Sequence, residues 1–244
     1  MKQLILHIPH SSTGIPIKTG FVLNQKLVDA EILKLTDWYT DDLFGSSVDI
    51  EVIAEFSRIF CDVERFSDDS KEEMVKFGMG VLYEKTDDGD LLRNVNQDLR
   101  DLILQNYYWL HHHKLNDAVK NQLEKNSEAT IVDCHSFPDI PLNYDKETIR
   151  PDINIGTDSF HTPEKLISES FKYFSSFGLS VMIDKPYSGS IVPIEYYKSN
   201  ENVHSIMIEV NRKLYLNGVS NKKSSNFPKL NGIIQGYLEI IKSF

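Results

Sequence analysis

IVDCHSF, residues 131–137, is the stretch on which the reading of this chain turns. Two β-branched residues run into an aspartate, a cysteine, a histidine and a serine, and the apolar character then stops. A short apolar run of this kind reads as a buried strand that ends on polar chemistry. Side chains alternate along a strand, so Asp133 and His135 share one face while Cys134 points the other way, into the core. The same pattern recurs on both sides of it. QLILHI (3–8) is stopped by Pro9, and HSIMIEVNR (204–212) carries a glutamate on an otherwise apolar strand.

Further strands are expected at VDIEVIAEF (48–56), IFCDV (59–63), DINIGTD (152–158) and SVMID (180–184). Helical spacing appears over 24–44, where Thr36-Asp37 offers a break, and over 162–178, with Thr162 as N-cap and Pro163 at the first helical position. Residues 90–126 read as a short helix followed by a longer one from about Asn106, and an amphipathic helix closes the chain. Strands alternating with helices and covered on both faces predict a single α/β domain over 1–244, a three-layer α/β/α sandwich around a mixed, largely parallel sheet. Ligands of such sheets collect at the carboxyl ends of the strands.

Composition narrows the function classes. The chain has 244 residues, 41% hydrophobic and 25% charged, enough for one sizeable core. No stretch approaches the roughly 18 apolar residues of a membrane span. The apolar run after Lys2 falls short of the roughly 7–15 residues of a leader's core, so it is read as the first strand. Two cysteines make no disulfide framework, which points to a reducing cytoplasm. A net charge of −10 argues against nucleic acid or an anionic membrane as partner. An anionic ligand would therefore need specific arginines, of which there are six.

Among eight histidines, His10 and His135 both lie at strand ends. With one carboxylate they meet the three-ligand count of a catalytic zinc site, although on spacing alone a hydrogen-bonding cap is the commoner role for each. Asp37, in LTDWYTDDLF, is a buried acid in need of a partner or metal, or else the N-cap of the turn at Trp38. Glu209 is placed for a general base, or for a pair with Arg212. Arg58 and Arg65 flank IFCDV and could grip carboxylates bidentately, or pair with Asp62 and Glu64. His111–His113 are consecutive on a helix, so at most one reaches a cleft. PYSGSIVP (186–193) is a loop able to approach a ligand, or an ordinary turn.

Taken in order, HIPHSSTGIP, LTDWYTDDLF, FSRIFCDVERF, YYWLHHHKL, IVDCHSF, RPDINIGTD, PYSGSIVP and IMIEVNRKLYL resemble the N-formylglutamate amidohydrolase family over about 7–216. The resemblance implies a fold similar to the zinc carboxypeptidases and the aspartoacylase and succinylglutamate desuccinylase group. It implies Zn²⁺, or another divalent metal, held by His10, Asp37 and His135, with Glu209 as general base. Arg58 and Arg65 would hold the carboxylates of a small N-acyl amino acid such as N-formyl-L-glutamate. Asp62 matches the aspartate of the arginine segment, and Asp133 could orient His135 from behind. Two departures stand out. Thr13 occupies the place of a second ligand three residues after His10, and Glu64 replaces an asparagine. If the segment is extended, Glu64 points away from Arg65 and is a bystander. A different N-acyl amino acid or a short peptide as substrate, and a non-catalytic binding member, are the alternatives.

Overall fold

The computed structural model describes residues 2–243. Six strands form one sheet: β1 (Ile5–Ile8), β2 (Ile50–Ile53), β3 (Ala129–Phe137), β4 (Ile153–Gly156), β5 (Val181–Ile183) and β6 (Val203–Asn211), in the order β2-β1-β3-β6-β4-β5. β2, β1, β3 and β6 are mutually parallel, and β4 pairs antiparallel to β6 and parallel to β5. The helices are α1 (Gln25–Leu35), α2 (Thr40–Phe44), α3 (Gln97–Ile103), α4 (Trp109–Asn126), α5 (Glu164–Ser176) and α6 (Phe227–Ile241). The fold is the expected mixed, mostly parallel α/β sandwich. Among the described residues no helix is long and apolar enough to cross a membrane.

Alternation along the strands sorts the layers. Leu6 and Ile8 of β1, Val132 and Cys134 of β3, and Ile206, Ile208 and Val210 of β6 face one way and pack with Leu43, Phe44, Leu166, Phe174, Ile234 and Tyr237 of α2, α5 and α6. Cys134 thus lies in the core, as alternation requires. Ile5 and Ile131 face the other way, onto Leu115, Ala118 and Val119 of α4. Apolar packing on that second face covers the early part of the strands. Further along, the same face carries His7, Asp133, His135 and Glu209, all buried. Registration brings them side by side: His7 pairs with Asp133, and His135 with Glu209. Residues paired across neighbouring strands project to the same side of the sheet.

Four local expectations are corrected. IFCDV is a buried turn, not a strand: Phe60 and Cys61 donate backbone hydrogen bonds to the Ser57 carbonyl, and Asp62 donates to Val81. Its apolar residues fill satellite clusters away from the sheet. The strand expected over 48–56 is confined to β2. Residues 97–126 form one continuous helical rod, because Leu104–Tyr108 is a π-turn joining α3 to α4 without a break. Thr162 does not cap α5; its hydroxyl donates to the Ser205 carbonyl, and Pro163 takes the cap position.

Candidate metal and acid–base site

His10 follows β1 directly, because Pro9 can donate no ladder hydrogen bond and the strand ends. Its carbonyl accepts the Asp37 amide at 3.0 Å, which anchors the break between α1 and α2 beside it. Thr36 is extended there, so α1 stops and Asp37 turns inward. Its carboxylate does not cap α2, whose first turn has no side-chain cap. Arg212 Nη2 donates instead to Asp37 Oδ1 at 2.9 Å, while Oδ2 stands 3.1 Å from His135 Nδ1 and 3.7 Å from His10 Nδ1. Donor atoms of His10, Asp37 and His135 all lie within 4.8 Å of one another, and all three residues are buried.

The surroundings hold each ligand candidate from its outer side. His10 Nε2 is 2.9 Å from Asp62 Oδ1, so that N–H donates to the carboxylate and Nδ1 is turned inward, where it has no hydrogen-bond partner. Asp62 is fixed in turn by Arg58 Nη2 at 2.9 Å and by the Tyr83 hydroxyl at 2.8 Å. On the other side, His135 Nε2 faces Asp133 Oδ1 at 3.1 Å and Glu64 Oε1 at 3.2 Å. An imidazole whose second nitrogen is held by a carboxylate is the usual state of a metal-ligating histidine. Two nitrogens and one oxygen in a buried cluster, with an orphaned imidazole nitrogen aimed into it, fit a divalent ion such as Zn²⁺ with an open fourth position.

Electrostatics follow from the same contacts. Burial would raise Asp37, but the nearby His10 ring, the hydrogen bond from His135 and the Arg212 charge hold it well below the usual carboxylate range. Burial would likewise lower His135, yet Glu64 and Asp133 carry it well above an ordinary imidazole. His10 is displaced upward too: burial and Arg58 oppose its protonation, and Asp62 and Asp37 outweigh them. Glu209 moves the other way for a carboxyl. Its burial, with Asp37 and Glu64 adding to it against His135 and Arg212, pushes it up to about 8. Its Oε2 is buried without a partner. Arg212 is spent on Asp37, Ser136 and the Lys34 carbonyl, so the alternative Glu209–Arg212 pair does not form.

The arginines divide their work. Arg58 is committed to Asp62 and Tyr83. Arg65 is half-buried, its Nε is 3.7 Å from Asp62 Oδ2 with no hydrogen bond, and the Tyr108 hydroxyl donates to its carbonyl at 2.9 Å. Glu64 is not the outward bystander that an extended segment implies. The turn at 59–65 breaks the alternation, and its carboxylate reaches His135 and lies 3.7 Å from His10 Nδ1. His7 was not singled out by sequence, yet Nδ1 is 2.8 Å from Asp133 Oδ1 and Nε2 is 2.9 Å from His111 Nε2. Alternation in ILHI, which puts His7 opposite Leu6 and Ile8, is the signal that could have found it. His111 is the one of the three consecutive histidines that enters the cluster. The 186–193 loop also closes onto it, with the Ile191 amide donating to Asp133 Oδ2 at 3.1 Å. A surface cavity of about 520 Å³ near Tyr144 is lined by none of the metal-ligand candidates.

Comparison with known proteins agrees with this architecture. The crystal structure of N-formylglutamate amidohydrolase from Ralstonia eutropha JMP134 is similar over 98% of this chain and 92% of its own, with a TM-score of 0.83 at 21% identity. The gene product Atu2144 from Agrobacterium tumefaciens is similar over 99% and 92%, with a TM-score of 0.68 at 16% identity. At such identities both likenesses speak for the fold. No curated protein matches the chain. The model of the family described as N-formylglutamate amidohydrolase matches residues 2–216, nearly the whole length, and the chain belongs to that family.

Proposed function

We propose that the protein hydrolyses the N-formyl amide of an acidic amino acid, N-formyl-L-glutamate or a close analogue, to formate and the free amino acid. The whole chain acts as one catalytic domain. The observation that carries this reading is the meeting of His10, Asp37 and His135 within 4.8 Å beside the buried, unpartnered Glu209. His10, Asp37 and His135 would hold the divalent ion. When bound, the ion supplies Lewis-acid polarisation of the acyl carbonyl and lowers the pKa of the attacking water.

The chain's own groups do the rest. Glu209 takes the proton of the attacking water and returns it to the leaving nitrogen as the C–N bond breaks, so that water is divided between formate and amine. Its free Oε2 has no competing hydrogen bond to give up. Asp62 and Asp133 hold the imidazoles of His10 and His135 in one orientation. Arg58 fixes Asp62, and Arg65 presents the guanidinium available to a substrate carboxylate.

One observation favours a second reading, deacylation of a neutral N-acyl amino acid: the Glu64 carboxylate faces the cluster and would repel an acidic substrate. A panel of N-formyl amino acids, assayed for amine release after metal loading, separates the two. N-formylglutamate should show the highest kcat/KM. A preference of tenfold or more for a neutral substrate selects the second reading, and no release from any member overturns both. His135→Ala should lose most of the bound metal, since it removes one of three ligands. Full metal occupancy in that variant would refute the ligand assignment.

A further inference from the structure

We propose that His7, Glu64 and Asp133 form a second divalent-cation site, separated from the first by the ring of His135. The donor atoms of these three residues lie within 4.8 Å of one another. His7 Nδ1 is 2.8 Å from Asp133 Oδ1 and 3.8 Å from Glu64 Oε1. One imidazole nitrogen and two carboxylate oxygens suit Zn²⁺, Co²⁺ or Mn²⁺.

Two of the three donors are held from behind in the manner of a metal ligand. Asp133 Oδ2 accepts the Ile191 amide, which leaves Oδ1 turned to the cluster. His7 Nε2 meets His111 Nε2 at 2.9 Å. A neutral His111 ring in the Nδ1–H tautomer accepts the His7 N–H there. His111 reaches this point because it lies one turn before Leu115, on the face of α4 packed against the sheet.

Hydrogen bonding alone accounts poorly for the cluster. Asp133 Oδ1 and Glu64 Oε1 stand 3.1 and 3.2 Å from the same nitrogen, His135 Nε2, which has at most one proton to give. His7 Nδ1 offers Asp133 Oδ1 a second donor at 2.8 Å, but Glu64 Oε1 has only the shared proton, with His7 Nδ1 3.8 Å away. Two like charges therefore stay close in a largely buried site, a costly arrangement unless a cation intervenes. The orphaned His10 Nδ1 lies 3.7 Å from Glu64 Oε2, so Glu64 turns one oxygen to each group. The Glu64 side chain is 19% exposed against 0% for His7 and 2% for Asp133, which leaves an entry path from its side alone. A cation there would also engage the charge that Glu64 otherwise aims at an acidic substrate.

The inference rests on the proposed first centre only through His135, whose opposite edges face the two groups. Its test uses the full chain, stripped with chelator, reloaded with excess Co²⁺, freed of unbound ion by gel filtration and analysed for cobalt per chain. Two ions are expected in the unaltered protein. Glu64→Gln, which keeps the shape at a partly exposed position, should hold one, with an unchanged circular dichroism spectrum. His7→Asn should also hold one. A single ion in the unaltered protein that is lost in His10→Ala and kept in Glu64→Gln overturns the second site and leaves the first standing. A single ion lost in Glu64→Gln and kept in His10→Ala supports the His7 group and overturns the first ligand set. Two ions retained in both Glu64→Gln and His7→Asn, or none in any protein, refute the second site.

Discussion

Glu209 and His135 are neighbours across β3 and β6, and both hold protons more tightly than usual, for opposite reasons. Burial keeps the carboxyl protonated up to about 8, while Glu64 and Asp133 keep the imidazole charged. The displacement brings the titration of this carboxyl towards neutral pH, where a proton-transfer group works best. Glu209→Gln preserves the shape and removes the proton acceptor, so metal content should stay while kcat falls by about 10²–10⁴. An active Glu209→Gln protein would end the general-base assignment. Arg65→Lys should raise KM several-fold with metal content unchanged, because an ammonium cannot reproduce the bidentate fork. Unchanged steady-state constants would show that Arg65 does not hold the substrate. At this scale His10, Asp37, His135 and Glu209 are legible because each is a polar residue set against an apolar strand or helix. Glu64 is not, since the direction of its side chain depends on a turn that its apolar neighbours disguise as a strand.

The rod from α3 through the π-turn to α4 packs on the sheet face that carries the site. A π-turn adds a residue to the helical repeat and so rotates everything after it relative to what came before. Leu104–Tyr108 makes that adjustment, and beyond it His111 and Leu115 face the sheet. Tyr108 lies at its end, with its hydroxyl donating to the Arg65 carbonyl. Tyr108→Phe should cost about 1 kcal/mol by removing one partner of that hydrogen bond. It should also raise KM more than it lowers kcat, because Arg65 loses its backbone anchor. Urea unfolding and steady-state kinetics measure the two effects, and an unchanged midpoint would show the bond to be without consequence. Apart from the false strand at IFCDV and the overlong one over 48–56, the strands and α5 could be read from local pattern. The unbroken rod could not, because a π-turn carries no residue signature and its cost is met by packing against distant segments.

On the scale of the whole molecule, the sandwich was readable because its strands are apolar on both faces and alternate with helices. What local pattern does not reveal is how many charges the folded chain gathers at one end of the sheet. Asp37, Asp62, Glu64, Asp133 and Glu209 meet Arg58, Arg65 and Arg212, and the histidines carry much of the remaining compensation. This makes the stability of the metal-free protein depend on pH in a definite direction. Glu209 has its folded pKa raised from 4.5 to about 8, so the folded state binds the extra proton and stability declines as pH rises through that window. His10 and His135 are raised above 6.5, so their contribution is complete below 6.5 and is lost as pH climbs through their folded values. His111 and His112 are lowered, to about 2 and about 4, and weaken the fold only as pH drops below 6.5. Above pH 6.5 these terms therefore run one way, each fully exchanging proton amounting to about 1.4 kcal/mol per pH unit. Metal binding at the proposed centre would reverse the trend, because His10 and His135 would have to release their protons to become ligands. Thermal melts from pH 6.5 to 8.5 should show the chelator-treated protein losing stability while the increment given by added Zn²⁺ grows. An increment that shrinks or stays level across that range would mean that the ion binds away from the two histidines.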